Sequence, residues 1–150
     1  MSDFTVQQRA RDAMIARLNV DRDTGVPEAQ AGQWFPGDPV RGSEIHVYFH
    51  QEDARPVGGF GGDLTQNELL MVVQPVAAAE TSAEVDELIE PLRKWIGSRL
   101  GDSNLDGLVH SVEYRGTKWE RGRSDLVYCA AAMGWMLKFQ TARADFTETL

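Results

Sequence analysis

The residues whose types and spacing most clearly suggest chemistry run from Asp102 to Glu113. Asp102-Ser103-Asn104-Leu105-Asp106-Gly107, then five residues and Glu113, fits the calcium-loop pattern D-x-[DN]-x-[DN]-G-x5-E in full. In such a loop the side-chain oxygens of Asp102, Asn104, Asp106 and Glu113 would surround one hard cation, and Gly107 would make the sharp bend. An EF-hand also needs a helix entering the loop and another leaving it. Gly101 breaks the preceding helical pattern, and Val112-Glu113-Tyr114-Arg115-Gly116 reads as a strand. The segment is therefore expected to be a helix-to-strand turn rich in Asp, Asn and Gly, with no metal and no cofactor bound.

Other chemical candidates are weaker. His46 and His50 are four residues apart; on a strand that is roughly 13 Å, too far to share an ion. With Tyr48 they read as solvent-facing or interface side chains. His110 stands alone, and the chain shows no His-Glu-x-x-His pattern, Ser-centred elbow or Cys-His pairing. Gly58-Gly59-Phe60-Gly61-Gly62 lacks the Gly-Lys-Ser/Thr of a phosphate loop. It reads as a mobile arm whose Phe60 could dock into a partner. Trp34 and Phe35 sit in a loop and either anchor it on the core or meet a partner. Tyr114 to Arg123 mixes basic and aromatic residues, a composition that can stack on single strands, but Glu113 and Glu120 dilute it and a solvated hairpin is the plainer reading. The single cysteine, Cys129, lies in an apolar run and reads as a buried, inert thiol. No catalytic residue emerges.

The elements that must position these groups follow from periodicity. Val6, Ala10, Met14 and Leu18, widened by Ile15, form one stripe of a helix from about Phe4 to Leu18, capped by Ser2 or Asp3. A loop rich in Gly and Pro follows, from Asn19 to Ser43. Glu44 to Gln51 alternates as a strand, with Ile45, Val47 and Phe49 on one side and His46, Tyr48 and His50 on the other. Arg55 to Asp63 reads as flexible. Asn67 to Val76 is apolar on both sides, as a central strand is. A second helix, capped by Thr81 or Ser82, carries the stripe Val85, Leu88, Ile89, Leu92, Ile96 and Leu100 and ends at Gly101; Pro91 should kink it. Val109 to Thr117 and Leu126 to Phe139 read as two closing strands, and Thr141 to Leu150 as a flexible tail. The expected fold is one α+β domain over residues 1–150. It has two layers, a mostly antiparallel four-stranded sheet with both helices on one face, in the order α-β-β-α-β-β.

The chain has 150 residues, 42% apolar and 25% charged, enough for one core. Its net charge of −8 makes a poor general binder of nucleic acid or anionic membranes. The N-terminus lacks a signal-peptide pattern, and no apolar run approaches the ~20 residues a membrane helix needs. The chain thus reads as soluble and cytosolic.

The layout resembles the tail terminator family of long-tailed phages, the minor tail protein U-like proteins. The resemblance rests on an N-terminal helix (Ala13-Met14-Ile15-Ala16-Arg17-Leu18), then a long loop leading to a strand with a charged exit (Val47-Tyr48-Phe49-His50-Gln51-Glu52-Asp53). An apolar strand follows (Leu69 to Val76), then a helix opening Ser82-Ala83-Glu84-Val85-Asp86-Glu87-Leu88, the turn Leu105-Asp106-Gly107-Leu108-Val109, and two closing strands. It implies a structural virion protein without catalytic activity, assembled in the host cytoplasm and located at the head-proximal end of the tail. Such proteins form a homo-hexameric ring that caps the tail tube, ends its growth and offers a surface to the head-tail connector. The implied partners are sister copies, the tail tube protein and the connector, with DNA passing through unbound. The Gly-rich arm and the acidic tail after Arg143 depart from the family's layout. A calcium-binding or other small-ligand or protein-binding module is the alternative.

Overall fold

A computed structural model describes residues 5–40, 42–57, 64–142 and 149. The arm around Phe60, the candidate caps Ser2 and Asp3, and nearly all of the segment after Ala142 lie outside the described residues.

The first helix, α1 (Val6–Asn19), begins at the first residue of its apolar stripe, two residues after the expected start at Phe4. Its N-cap is Thr5. The Thr5 hydroxyl accepts from the Gln8 amide at 3.1 Å, and the Gln8 side chain accepts from the Thr5 amide at 2.9 Å. This reciprocal box satisfies two amides that the first turn leaves without carbonyl partners. Val6, Ala10, Met14 and Leu18 are fully or almost fully buried, as the four-residue spacing requires.

The expected four-stranded sheet is corrected to five strands, and the expected mostly antiparallel pattern to a mixed one, in the order β1-β2-β3-β5-β4. The additional strand, β1 (Ala29–Ala31), lies inside the segment read as loop and pairs parallel with β2 (Ser43–Val57). Three residues are too few to show a period of two. What holds β1 is a side chain far from it in sequence. Asn19, at the end of α1, accepts from the Ala29 amide at 2.7 Å and donates to the Ala29 carbonyl at 3.2 Å. The chain order is therefore α-β-β-β-α-β-β.

The remaining strands are β3 (Leu64–Ala79), β4 (Ser111–Arg123) and β5 (Val127–Ala142), all joined antiparallel. β2 is longer than its alternation suggested and takes in Arg55, Pro56 and Val57, which read as flexible from sequence. β5 likewise absorbs Thr141 and Ala142 from the expected tail. β3 is central, as its two-sided apolar composition indicates.

Helix α2 (Ser82–Leu100) is capped by Thr81 and stopped at Gly101. It runs on through Pro91. Proline cannot donate to the Glu87 carbonyl one turn back, and both residues are on the exposed side of the helix, where an unpaired carbonyl costs least. Leu88, placed in the apolar stripe by spacing, is 38% exposed, whereas Trp95 is buried. The Trp95 indole donates to the Leu18 carbonyl at 2.9 Å, joining the C-terminal ends of the two helices. The Arg17 guanidinium meets the Arg99 carbonyl in the same place.

One core joins both helices to one face of the sheet, with Ile45, Val47, Met71, Val73, Trp135 and Leu137 among its members. On β5 the odd-numbered residues from Val127 to Phe139 are all buried. The opposite face of the sheet is covered only in part. There Trp34 packs on Val76 and Ala130 and meets the Tyr128 ring edge-on at 5.2 Å. Gln74 clamps this loop, accepting from the Trp34 amide at 3.1 Å and donating to its carbonyl at 3.3 Å.

Candidate functional site

The Asp102–Glu113 segment folds as a turn feeding directly into a strand. Asp102, Leu105 and Asp106 all take positive φ, a run of left-handed conformations that suits short polar residues better than Leu. The Asn104 carboxamide accepts from the Gly107 amide at 3.1 Å, and Leu105 donates to the Ser103 hydroxyl at 3.1 Å. Glu113 lies within β4, not on a helix, and its carboxylate meets Arg115 at 2.8 Å and Lys138 at 3.5 Å. Two of the four candidate oxygen ligands are thus engaged inside the fold. Among the described residues, no group of three or more His, Cys, Asp or Glu side chains converges as a metal site.

His46, Tyr48 and His50 stand on the sheet face away from the helices. His46 meets Glu44, two residues earlier on the same strand, at 3.5 Å. A bulge falls between Phe49 and Gln51, so His50 has no opposite residue on β3. Tyr48 and His50 border a shallow cavity of about 360 Å³ floored by Leu70, Val72, Ala132 and Gly134. Burial pushes the Tyr48 hydroxyl above its ordinary pKa, so it stays a neutral phenol. Of the two loop aromatics, Trp34 is buried within the chain and Phe35 is 56% exposed.

Cys129 is fully buried beneath α2, and burial raises its thiol above the ordinary range. A protonated, enclosed thiol is a poor nucleophile.

The surface that sequence reasoning did not find is the groove between α2 and β4. It has a volume of about 500 Å³ and is bordered by Glu90, Arg93 and Gly97 on the helix and by Val112 and Tyr114 on the strand, with Trp135 in its lining. A bulge between Tyr114 and Gly116, with Gly116 at φ +105°, puts Tyr114 and Thr117 on the same side. Beyond it Trp119 is 45% exposed, with the Arg93 guanidinium 4.8 Å above its ring and Arg121 at 5.6 Å. Arg121 is also paired with Asp86 at 2.7 Å. The Trp135 indole nitrogen and the Arg93 Nε are buried with no hydrogen-bond partner among the described residues. The sequence signal for this strip was the basic and aromatic run from Tyr114 to Arg123. Its pairing with Arg93 of α2 is a tertiary feature that the run does not announce.

Both margins of the sheet are open among the described residues. β4 has a neighbour only on its β5 side. β1 covers β2 only from Ile45 to Val47, so Tyr48 to Val57 has no strand on its outer side. No helix among the described residues is long and apolar enough to cross a membrane.

No family model matches the chain, and no curated protein matches its sequence.

Proposed function

We propose that the chain is a structural subunit of a phage tail, a terminator that forms a homo-hexameric ring on the end of the tail tube and presents a surface to the head-tail connector. The observation that carries this reading is the sheet with two open margins, one of them bearing the exposed aromatics Tyr114 and Trp119. Both edges carry charged side chains and a bulge, which discourage indiscriminate strand pairing and favour a contact that matches charge.

Two further features support it. The helix, long loop, strand, apolar strand, helix, turn and closing strands on which the family resemblance rests occur in that chain order. β1 is an addition within the loop. Asn104 and Glu113 of the calcium-like loop are engaged by Gly107, Arg115 and Lys138, which suits a protein that acts by shape and surface. The acidic composition suits a ring that DNA traverses without adhering.

The test is assembly. Six copies of a 16.7 kDa chain make a particle of about 100 kDa with closed cyclic symmetry. Light scattering and negative-stain imaging should show rings, free or seated on purified tail tubes. A protein that is monomeric at every concentration and ignores tubes does not have this function.

A further inference from the structure

We infer that the copies join head to tail through opposite charges on the two margins of the sheet, the basic β4 edge of one copy against the acidic β2 edge of the next. The inference rests on the ring reading above and specifies its contact.

The charges are segregated by topology. β4 carries Arg115, Lys118, Arg121 and Arg123 against Glu113 and Glu120. At the other margin, β2 carries Glu44, Glu52 and Asp53 against Arg55, and β1 carries no charge. Sequence order conceals this, because the margins are the first and last strands of the sheet, separated by β3 and β5.

Several of these groups have no internal counter-charge. Arg115 and Arg121 are spoken for by Glu113 and Asp86. Lys118 and Arg123 are exposed and form no ion pair among the described residues. Opposite them in the ring, exposed Glu52 and Asp53 are approached, among the described residues, by the neutral amides of Gln7, at 2.8 Å, and Gln51, at 3.1 Å.

Strand direction also fits. β2 and β4 are separated by three antiparallel steps, β2 to β3, β3 to β5 and β5 to β4. They therefore run in opposite directions. A copy rotated about an axis along the strands presents its β2 antiparallel to its neighbour's β4. That is a heterologous contact, the kind that closes rings, and its charges set register and suppress like-to-like pairing.

The experiment uses two full-length variants. One reverses the basic edge, Lys118→Glu with Arg123→Glu; the other reverses the acidic edge, Glu52→Lys with Asp53→Lys. All four positions are exposed, and circular dichroism checks that each variant folds. Each variant alone has like charges at every junction and should be at least tenfold weaker in assembly than wild type by light scattering. An equimolar mixture has opposite charges at every junction of an alternating ring and should recover assembly. The wild-type ring should also loosen as salt rises from about 0.05 to about 0.5 M, which needs no variant. Rings that survive both reversals, or a mixture that stays dissociated, overturn this contact and leave the ring reading standing. A wild-type chain that never assembles overturns both.

Discussion

Cys129 shows what a single side chain's surroundings do to its chemistry. It faces α2 from β5, in a cluster with Ala77, Val85, Ile89, Val127 and Ala131. Burial disfavours the thiolate and raises the pKa. The folded state therefore holds this proton to higher pH than the unfolded chain does. The associated stability is fully present below the unfolded thiol pKa of about 8.5 and declines as pH rises through it toward the folded value. Tyr48, raised for the same reason, adds a second decline beginning near pH 10. Thermal melts across this range should fall with pH, and Cys129→Ala should flatten the first part of the fall. Stability that rises between these limits would contradict the burial argument. Alkylation should be slow in the native protein and fast after denaturation.

At the scale of elements, Trp95 ties two helices together. Its indole fills the Leu18 carbonyl, one of those that the end of α1 leaves without a partner. The Arg99 guanidinium lies 4.2 Å above its ring. Trp95→Phe keeps most of the apolar contact and removes the donor. Leaving a buried carbonyl unpaired costs about 1–3 kcal/mol, so the melting temperature should drop by several degrees, with the fold retained by circular dichroism. An unchanged melt would mean that water replaces the indole. The calcium-like loop gives an opposite expectation. Since Glu113 is held by Arg115 and Lys138 within β4, millimolar Ca²⁺ should leave the melting temperature nearly unchanged. A rise that disappears in Asp102→Ala would restore the loop as a site.

These elements also show what the sequence discloses. The buried stripe of α1, the cap and stop of α2, and the inward odd-numbered residues of β5 were all legible, because each repeats a local period over many residues. β1 was not legible. It is three residues long and depends on Asn19, ten residues earlier. Leu88 and Trp95 stand seven residues apart on the same side of α2, and only the placement of α1 decides that Trp95 is covered and Leu88 is not. The bulge between Tyr114 and Gly116 in β4 appears only with the pairing to β5. The α2–β4 groove was illegible for a related reason, since Arg93 and Trp119 are distant in sequence.

At the scale of the whole molecule, the net charge of −8 and the basic β4 strip pull in different directions where nucleic acid is concerned. The overall charge repels phosphate, and binding to duplex DNA requires clustered cations that release counterions. The strip, with Tyr114 and Trp119 exposed between Arg115, Lys118 and Arg121, has the stacking surfaces and charges that single strands use. If β4 faces a neighbouring copy, this strip is shielded in the ring and the acidic remainder is what DNA meets. Assembled protein at about 0.15 M salt should then leave the gel mobility of both double- and single-stranded DNA unchanged. Retardation of single strands that Trp119→Ala abolishes would show instead that the strip is open in the assembly, and β4 would have to be assigned to nucleic acid rather than to the neighbouring copy. The charge-reversal pair separates these outcomes further. Lys118→Glu with Arg123→Glu removes cations from the strip, so it weakens assembly on one account and strand binding on the other. Only the first loss is repaired by adding the Glu52→Lys, Asp53→Lys partner.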